Sequence, residues 1–215
     1  MSKTGIVFDH VSEYLQSIRR DRSGWLAEKE KIWRENGFPI AEPEVGDLLE
    51  IICSLKQPKK ILEIGTCIGF SSLLMSQTVP DAEIITIERN PVMIKDARKN
   101  FEAYDKSHRI KLIEGDAAEI LPNLEDTFDL VFLDAAKGQY PVYFPDIKRI
   151  LSSGGVFISD NVLFNGYVAK GSPDRHRNKT IVMRLDDYLH MLESDQDFKT
   201  VLFPISDGVT LSIKK

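Results

Sequence analysis

Apolar positions along the chain change their period near residue 59. Before it they recur at helical spacing: Val7, Val11, Tyr14, Leu15 and Ile18 share one face, residues 25–36 read as a second helix stopped by Gly37 and Pro39, and a third runs from about 45 to 55. After it, short β-rich runs predict strands at residues 61–64, 84–87, 110–113, 130–133 and 156–158. Helical segments near 69–78, 91–104, 117–121 and 143–151 are interleaved with them. The second of these has a clear start, with Asn90 as its cap and Pro91 at the first helical position. Ile181, Leu185, Tyr188, Leu189 and Leu192 mark a long helix, followed by strands near 200–204 and 209–213.

Strands alternating with helices imply a parallel sheet covered on both faces. The last two strands are joined by the short turn "SDG" at 206–208, so the final strand is expected to run antiparallel, at or near an edge. At 215 residues and 42% hydrophobic, the chain can bury one sizeable core, and no repeat or long linker divides it. A single domain follows, with helices over 1–57 and the sheet-bearing core over 58–215.

With 28 basic and 33 acidic residues the net charge is −5, which excludes the global basic field of a nucleic-acid binder but leaves local patches open. Cys53 and Cys67, the only cysteines, lie in apolar surroundings and suit a reducing compartment as inert thiols. The N-terminus lacks a signal-peptide core and no apolar stretch approaches the ~20 residues of a membrane span. A cytoplasmic protein without a membrane partner is expected.

In such a sheet, ligands collect beyond the carboxyl ends of the strands, where strand order switches. The first strand ends in "ILEIGTCIGFSS", which places Glu63 before a Gly65-x-x-x-Gly69 turn and departs from the dinucleotide fingerprint at Cys67 and Phe70. Pyrophosphate is thereby disfavoured. Glu88 closes the second strand, where an acid can accept both ribose hydroxyls, and Asp116 closes the third. Three successive acids suit a nucleoside with a cationic tail, such as S-adenosylmethionine. Asp134 ends the fourth strand, and Asp160 and Asn161 end the fifth, an all-oxygen set suited to a hard divalent cation such as Mg²⁺.

Together, "ILEIGTCIGFSS", "ITIERNP", "EGDAAEILP", "VFLDAAKGQY" and "SDNVLFNG" resemble the metal-dependent class I O-methyltransferases of the catechol and caffeoyl-CoA type, over about residues 38–215. "LKQPKKILEIGT", "DAAKGQY" and "DNVLFNG" are especially similar to bacterial tRNA 5-hydroxyuridine methyltransferases, which make 5-methoxyuridine at the anticodon wobble position. The resemblance implies an α/β, Rossmann-like fold with a seven-stranded, mostly parallel sheet, an antiparallel last strand and extra N-terminal helices. It implies that Glu63, Gly65 and Ser71 line the methionine part of S-adenosylmethionine, that Glu88 binds the ribose and that Asp116 and Ala117 flank the adenine. Ala41 aligns with a further cofactor-pocket position. Asp134 would serve twice, as metal ligand and as neighbour of the methionine amino group, with Asp160 and Asn161 completing the protein's share of a Mg²⁺ or Mn²⁺ shell. Lys137 matches the lysine beside the reacting hydroxyl, as base or as oxyanion stabiliser. Ala136 and Gly138 depart from the plant-type enzymes, which puts a phenylpropanoid thioester in doubt.

A chelated acceptor needs a second oxygen on the adjacent ring atom, and catechols and 5-hydroxyuridine both supply one. The tRNA anticodon loop is the expected partner, with small catechol-like phenols as the alternative. Basic residues that would contact phosphate are Lys170, Arg175, Arg177 and Lys179; a second group is Arg19, Arg20 and Arg22, and a third Lys56, Lys59 and Lys60. Tyr140, Phe164 and Tyr167 are candidates for stacking on an unpaired base. A homodimer is expected; whether the N-terminal helices, with Trp25 and Trp33, cover the site or form the interface is open.

Overall fold

The computed structural model describes residues 6–105, 107–171 and 178–215. Helices α1 (Asp9–Ile18), α2 (Trp25–Glu35) and α3 (Pro43–Lys56) precede β1 (Lys60–Ile64), α4 (Phe70–Thr78), β2 (Glu83–Glu88), α5 (Pro91–Tyr104) and β3 (Ile110–Glu114). There follow the short α6 (Ala117–Ile120), β4 (Phe128–Leu133), α7 (Tyr140–Ile150), β5 (Leu151–Ser159), the four-residue α8 (Tyr167–Lys170), α9 (Lys179–Ser194), β6 (Phe198–Phe203) and β7 (Val209–Lys214). Asn90 caps α5 as expected, its side chain accepting from the Val92 N–H at 3.0 Å.

Several boundaries move for local reasons. Helix α7 starts at Tyr140 rather than 143, because Pro141 in its first turn needs no hydrogen-bonded N–H. Strand β5 is longer than the apolar run 156–158: a register shift against β4 lets Leu151 pair with Phe128 ahead of the glycine pair at 154–155. Val7 lies outside α1.

All seven strands form one sheet in the order β3-β2-β1-β4-β5-β7-β6. The first five are mutually parallel, and β7 is antiparallel to both β5 and β6. The last strand therefore lies one place in from the edge, and β6 takes the edge itself. Alternate strand residues face opposite layers. Ile61, Ile84, Leu130, Phe132 and Ile158 join residues of α2 to α5 in one apolar layer, whereas Leu62, Ile64, Ile85, Val131, Leu133 and Phe157 join α7 and α9 in the other. Leu26 and Trp33 of α2 are buried in the first layer, with Trp33 edge-on to Phe70. Helix α1 buries none of its residues within the chain. Among the described residues, no helix is long and apolar enough to cross a membrane.

Candidate active site

Strand order reverses between β1 and β4, and there the chain leaves both strands for opposite sides of the sheet. Backbone pairing continues one residue beyond each strand: Asp134 N–H donates to the Ile64 carbonyl and Asp160 N–H to the Leu133 carbonyl, each at 2.9 Å. Gly65, at φ +105°, passes so close to β4 that a Cβ would stand 1.9 Å from the Asp134 carbonyl oxygen. This close approach lets the two strand ends share one cavity of about 500 Å³.

Of the residues expected from sequence, Ala41, Gly65, Glu88, Ala117, Asp134, Lys137, Asp160 and Asn161 line that cavity. Glu88 is held rigidly, its two carboxylate oxygens accepting from the N–H groups of Cys67 (2.9 Å), Arg89 (3.0 Å) and Asn90 (2.9 Å). Such fixation presents a carboxylate at the end of β2 without costing side-chain entropy on binding. Arg34 donates to the Ala41 carbonyl and the Glu42 carboxylate, and so fixes the linker 39–42 as one wall. The N-terminal segment thus covers part of the site.

Glu63, Ser71 and Asp116 stand elsewhere. Glu63 is buried at 1% exposure below the lining, where the Ser72 and Thr86 hydroxyls donate to its Oε2 and its Oε1 has no partner among the described residues. Ser71 is buried in the first turn of α4. Asp116 caps α6, accepting from the Ala118 N–H at 2.9 Å and from Arg89 at 2.8 Å, and both bonds hold its pKa below the usual range. The backbone turn around Asp116 supplies Gly115 and Ala117 to the lining instead.

Burial pushes the Glu63 pKa up to about 8, against the lowering effect of the two hydroxyls, with the charges of Asp134 and Glu88 adding to the rise. The folded chain therefore keeps a proton that the unfolded chain, at ~4.3, releases. Stability from this group is fully present below ~4.3 and is lost as pH rises toward 8. Glu63→Gln is expected to raise the melting temperature of the ligand-free protein at pH 8 and far less at pH 5. Equal shifts at both pH values by calorimetry would remove this assignment.

At the β4 and β5 ends, burial raises the pKa of both Asp134 and Asp160, and the charge of Asp134 raises Asp160 further. Lys137, on a single tight turn after β4, lies 3.8 Å from Asp134 and pulls both downward. Arg184 of α9 donates to the Gly138 carbonyl at 2.8 Å and braces that turn. Asp160 accepts from the Asn161 N–H at 2.6 Å, and Asn161 itself takes a left-handed φ of 56°. Among the described residues, no group of three His, Cys, Asp or Glu side chains is disposed to hold a metal. The donor set here is two carboxylates and one amide oxygen. A buried carboxylate, Asp160, and a partly exposed one, Asp134, at the ends of adjacent strands fit a hard divalent cation, whose charge would relieve both.

Other expected contacts are corrected. Tyr140 is fully buried, edge-on to Tyr188 and donating to the Asp160 carbonyl at 3.0 Å, so it is core and not a stacking platform. Phe164 and Tyr167 pack on each other with centroids 6.1 Å apart. Arg19 pairs with Asp47, and Arg22 with Glu30, Asp47 and Glu50. Lys59 pairs with Asp81 and Lys60 with Asp126, while Lys56 donates to the Gly154 carbonyl. The second and third basic groups are thus largely engaged within the chain. Of the first group, Arg175 and Arg177 lie outside the described residues. Sequence reasoning passed over Met93 and Tyr143, which line the cavity, and Asp207, which acts on the site from the turn before β7. Cys67, read as an inert thiol, also lines the cavity; burial pushes its pKa up to about 12, and that of Cys53 likewise.

A doubly wound sheet with Glu88, Asp134 and Asp160 around one cavity at the switch point has the fold of a Rossmann-like methyltransferase. The chain belongs to the O-methyltransferase family, whose model matches residues 23–215. It is accordingly an S-adenosylmethionine-dependent O-methyltransferase. It is 30% identical over 169 residues to a catechol O-methyltransferase of Niastella koreensis, covering 75% of this chain and 76% of that protein. It is 30% identical over 215 residues to tricin synthase 2 of Oryza sativa, covering 96% of this chain and 70% of that one. An SAH-bound methyltransferase structure from Podospora anserina superposes with a TM-score of 0.85 at 32% identity, covering 96% of this chain and 94% of that chain.

Proposed function

We propose that this chain methylates one hydroxyl of a small catechol-like phenol, with Mg²⁺ or Mn²⁺ held by Asp134, Asp160 and Asn161. The observation that carries the reading is the pair of carboxylates, Asp160 buried and Asp134 half-buried, that line one cavity together with Lys137. S-adenosylmethionine bound there supplies an electrophilic methyl carbon, and a divalent cation lowers the pKa of the acceptor hydroxyl. The chain's part is orientation and charge. Glu88 accepts hydrogen bonds from the ribose, and the close pass of Gly65 leaves room for the cofactor tail beside Asp134. Asp134, Asp160 and Asn161 place the acceptor's two oxygens, and Lys137 sets a cation where phenolate charge develops. With S-adenosylmethionine bound, the acceptor oxygen would form the C–O bond as the S–C bond gave its electrons to sulfur, and the hydroxyl proton would leave to solvent.

The tRNA anticodon remains as a second acceptor, because its 5-hydroxyuridine offers the same adjacent oxygens. Its support is weaker: the internal pairing of Arg19, Arg22, Lys59 and Lys60 leaves fewer free cations for phosphate. The relatives named for catechol and tricin chemistry favour a small phenol. Methyl incorporation from labelled S-adenosylmethionine should be measured side by side into catechol and into an anticodon stem-loop carrying 5-hydroxyuridine. Transfer to catechol that EDTA abolishes and Mg²⁺ restores is the expected result; transfer to the RNA alone, or undiminished transfer without metal, would overturn the reading. A homodimer belongs to the same proposal, with the exposed Tyr14, Leu15 and Ile18 of α1 and Phe8 just before it as the face a second copy covers, and light scattering decides it.

A further inference from the structure

The loop that follows β5 is conformationally expensive. Asn161, Phe164 and Asn165 hold left-handed φ values of 56°, 44° and 54°, and Gly166 follows at 73°. A non-glycine residue in that region costs of order 1–2 kcal/mol, so the loop needs outside contacts to persist. One turn, 206–208 between β6 and β7, supplies three of them. Val162 N–H donates to the Gly208 carbonyl at 3.0 Å, Leu163 N–H to the Asp207 carbonyl at 2.9 Å, and Asn165 N–H to the Asp207 carboxylate. The first two would survive a change of side chain at 207. The third belongs to the carboxylate alone.

The turn is fitted closely to the loop. A Cβ on Gly208, which sits at φ +85°, would stand 2.4 Å from Leu163 Cγ. Asp207 itself is buried at 8% exposure. Burial pushes its pKa up to about 6, against the lowering effects of the Asn165 N–H and of the Lys137 charge. The turn is near the site because β7 runs antiparallel to β5, so that Thr210, just after the turn, pairs with Ser159 at the carboxyl end of β5.

We propose that Asp207 is a positioning residue for methyl transfer, holding the Asn165 amide and thereby setting the loop whose first residue, Asn161, offers its side-chain oxygen at the acceptor side. This inference rests on the metal-assisted reading given above. Asp207 touches neither cofactor nor acceptor. Its effect passes through the backbone of 161–165.

The test compares Asp207→Ala with Asp207→Asn in the full chain, since an amide oxygen can still accept the Asn165 N–H. In the Ala variant, hydrogen exchange at the Asn165 amide should quicken by about tenfold, with exchange at 65–67 unchanged. Mn²⁺ affinity, read by electron paramagnetic resonance, should fall by about 10- to 100-fold, the range for losing a group that orients a ligand. SAH affinity by calorimetry should stay within about twofold, and the Asn variant should recover both loop protection and Mn²⁺ affinity. Unchanged exchange or Mn²⁺ affinity in the Ala variant would overturn the assignment. So would a parallel loss of SAH affinity and melting temperature, which would make Asp207 a general structural residue. A wild-type protein that binds no Mn²⁺ would refute the metal reading and this inference with it, an outcome visible before any variant is compared.

Discussion

Asp160→Asn is expected to lower kcat/KM for a catechol by about a thousandfold, ~4 kcal/mol of transition-state stabilisation, while raising the melting temperature of the ligand-free protein. The two effects share one cause. Asp160 is 1% exposed, and both burial and Asp134 oppose its charge. The amide keeps the shape and can accept the same bond from the Asn161 N–H, but it removes the charge on which a cation site depends. Because the folded pKa lies above the unfolded ~3.9, stability from Asp160 is full below that value and is lost as pH rises through the folded one. The gain from Asn should therefore be larger at pH 8 than at pH 5. Calorimetry and steady-state rates on the same preparations check this; a lower melting temperature with retained turnover would mean that Asp160 is structural and not part of the reaction.

Gly65→Ala is the second large effect. The added carbon would meet backbone atoms on the neighbouring strand, at 1.9 Å from the Asp134 oxygen and 2.7 Å from its carbonyl carbon, and neither can rotate aside. Accommodation requires β1 and β4 to part where Asp134 N–H bonds to Ile64. A loss of about 3 kcal/mol or more in urea unfolding is expected, with SAH affinity weakened on the order of 100-fold. Gly154 provides the comparison. It also has a positive φ, of 71°, but a Cβ there meets nothing within 4 Å, so Gly154→Ala should cost only about 1–2 kcal/mol. Equal losses at the two positions would show that backbone conformation, and not strand contact, sets the cost.

Periodicity revealed most of the framework because the central strands are buried on both faces and their apolar runs are nearly continuous, as at 61–64 and 130–133. It failed where other physics governed. The start of β5 was hidden by Gly154 and Gly155, and α8, with only four residues, is too short to show a period. The lining of the cavity was legible where a single strand end carries a single acid, as with Glu88, Asp134 and Asp160. Glu63 and Asp116 show the limit of that rule, since one turns beneath the lining and the other turns back to cap a helix. Charge counting read Arg19 and Arg22 as an open patch because their partner Asp47 lies 28 and 25 residues onward. Asp207 resembled an ordinary hairpin residue, and only the folded chain brings it to the loop after β5.

The strand order has a bearing on how such a molecule can diversify. In the reading proposed above, the nucleoside side of the cavity is at the ends of β1, β2 and β3, and the acceptor side at the ends of β4 and β5, with the turn before β7 beside it. Within the sheet the two halves are joined by the pairing of β1 with β4. Loops beyond β5 and before β7 can change length and chemistry without passing through that pairing. New acceptors are then accessible by small edits on one flank, while the donor half stays as it is.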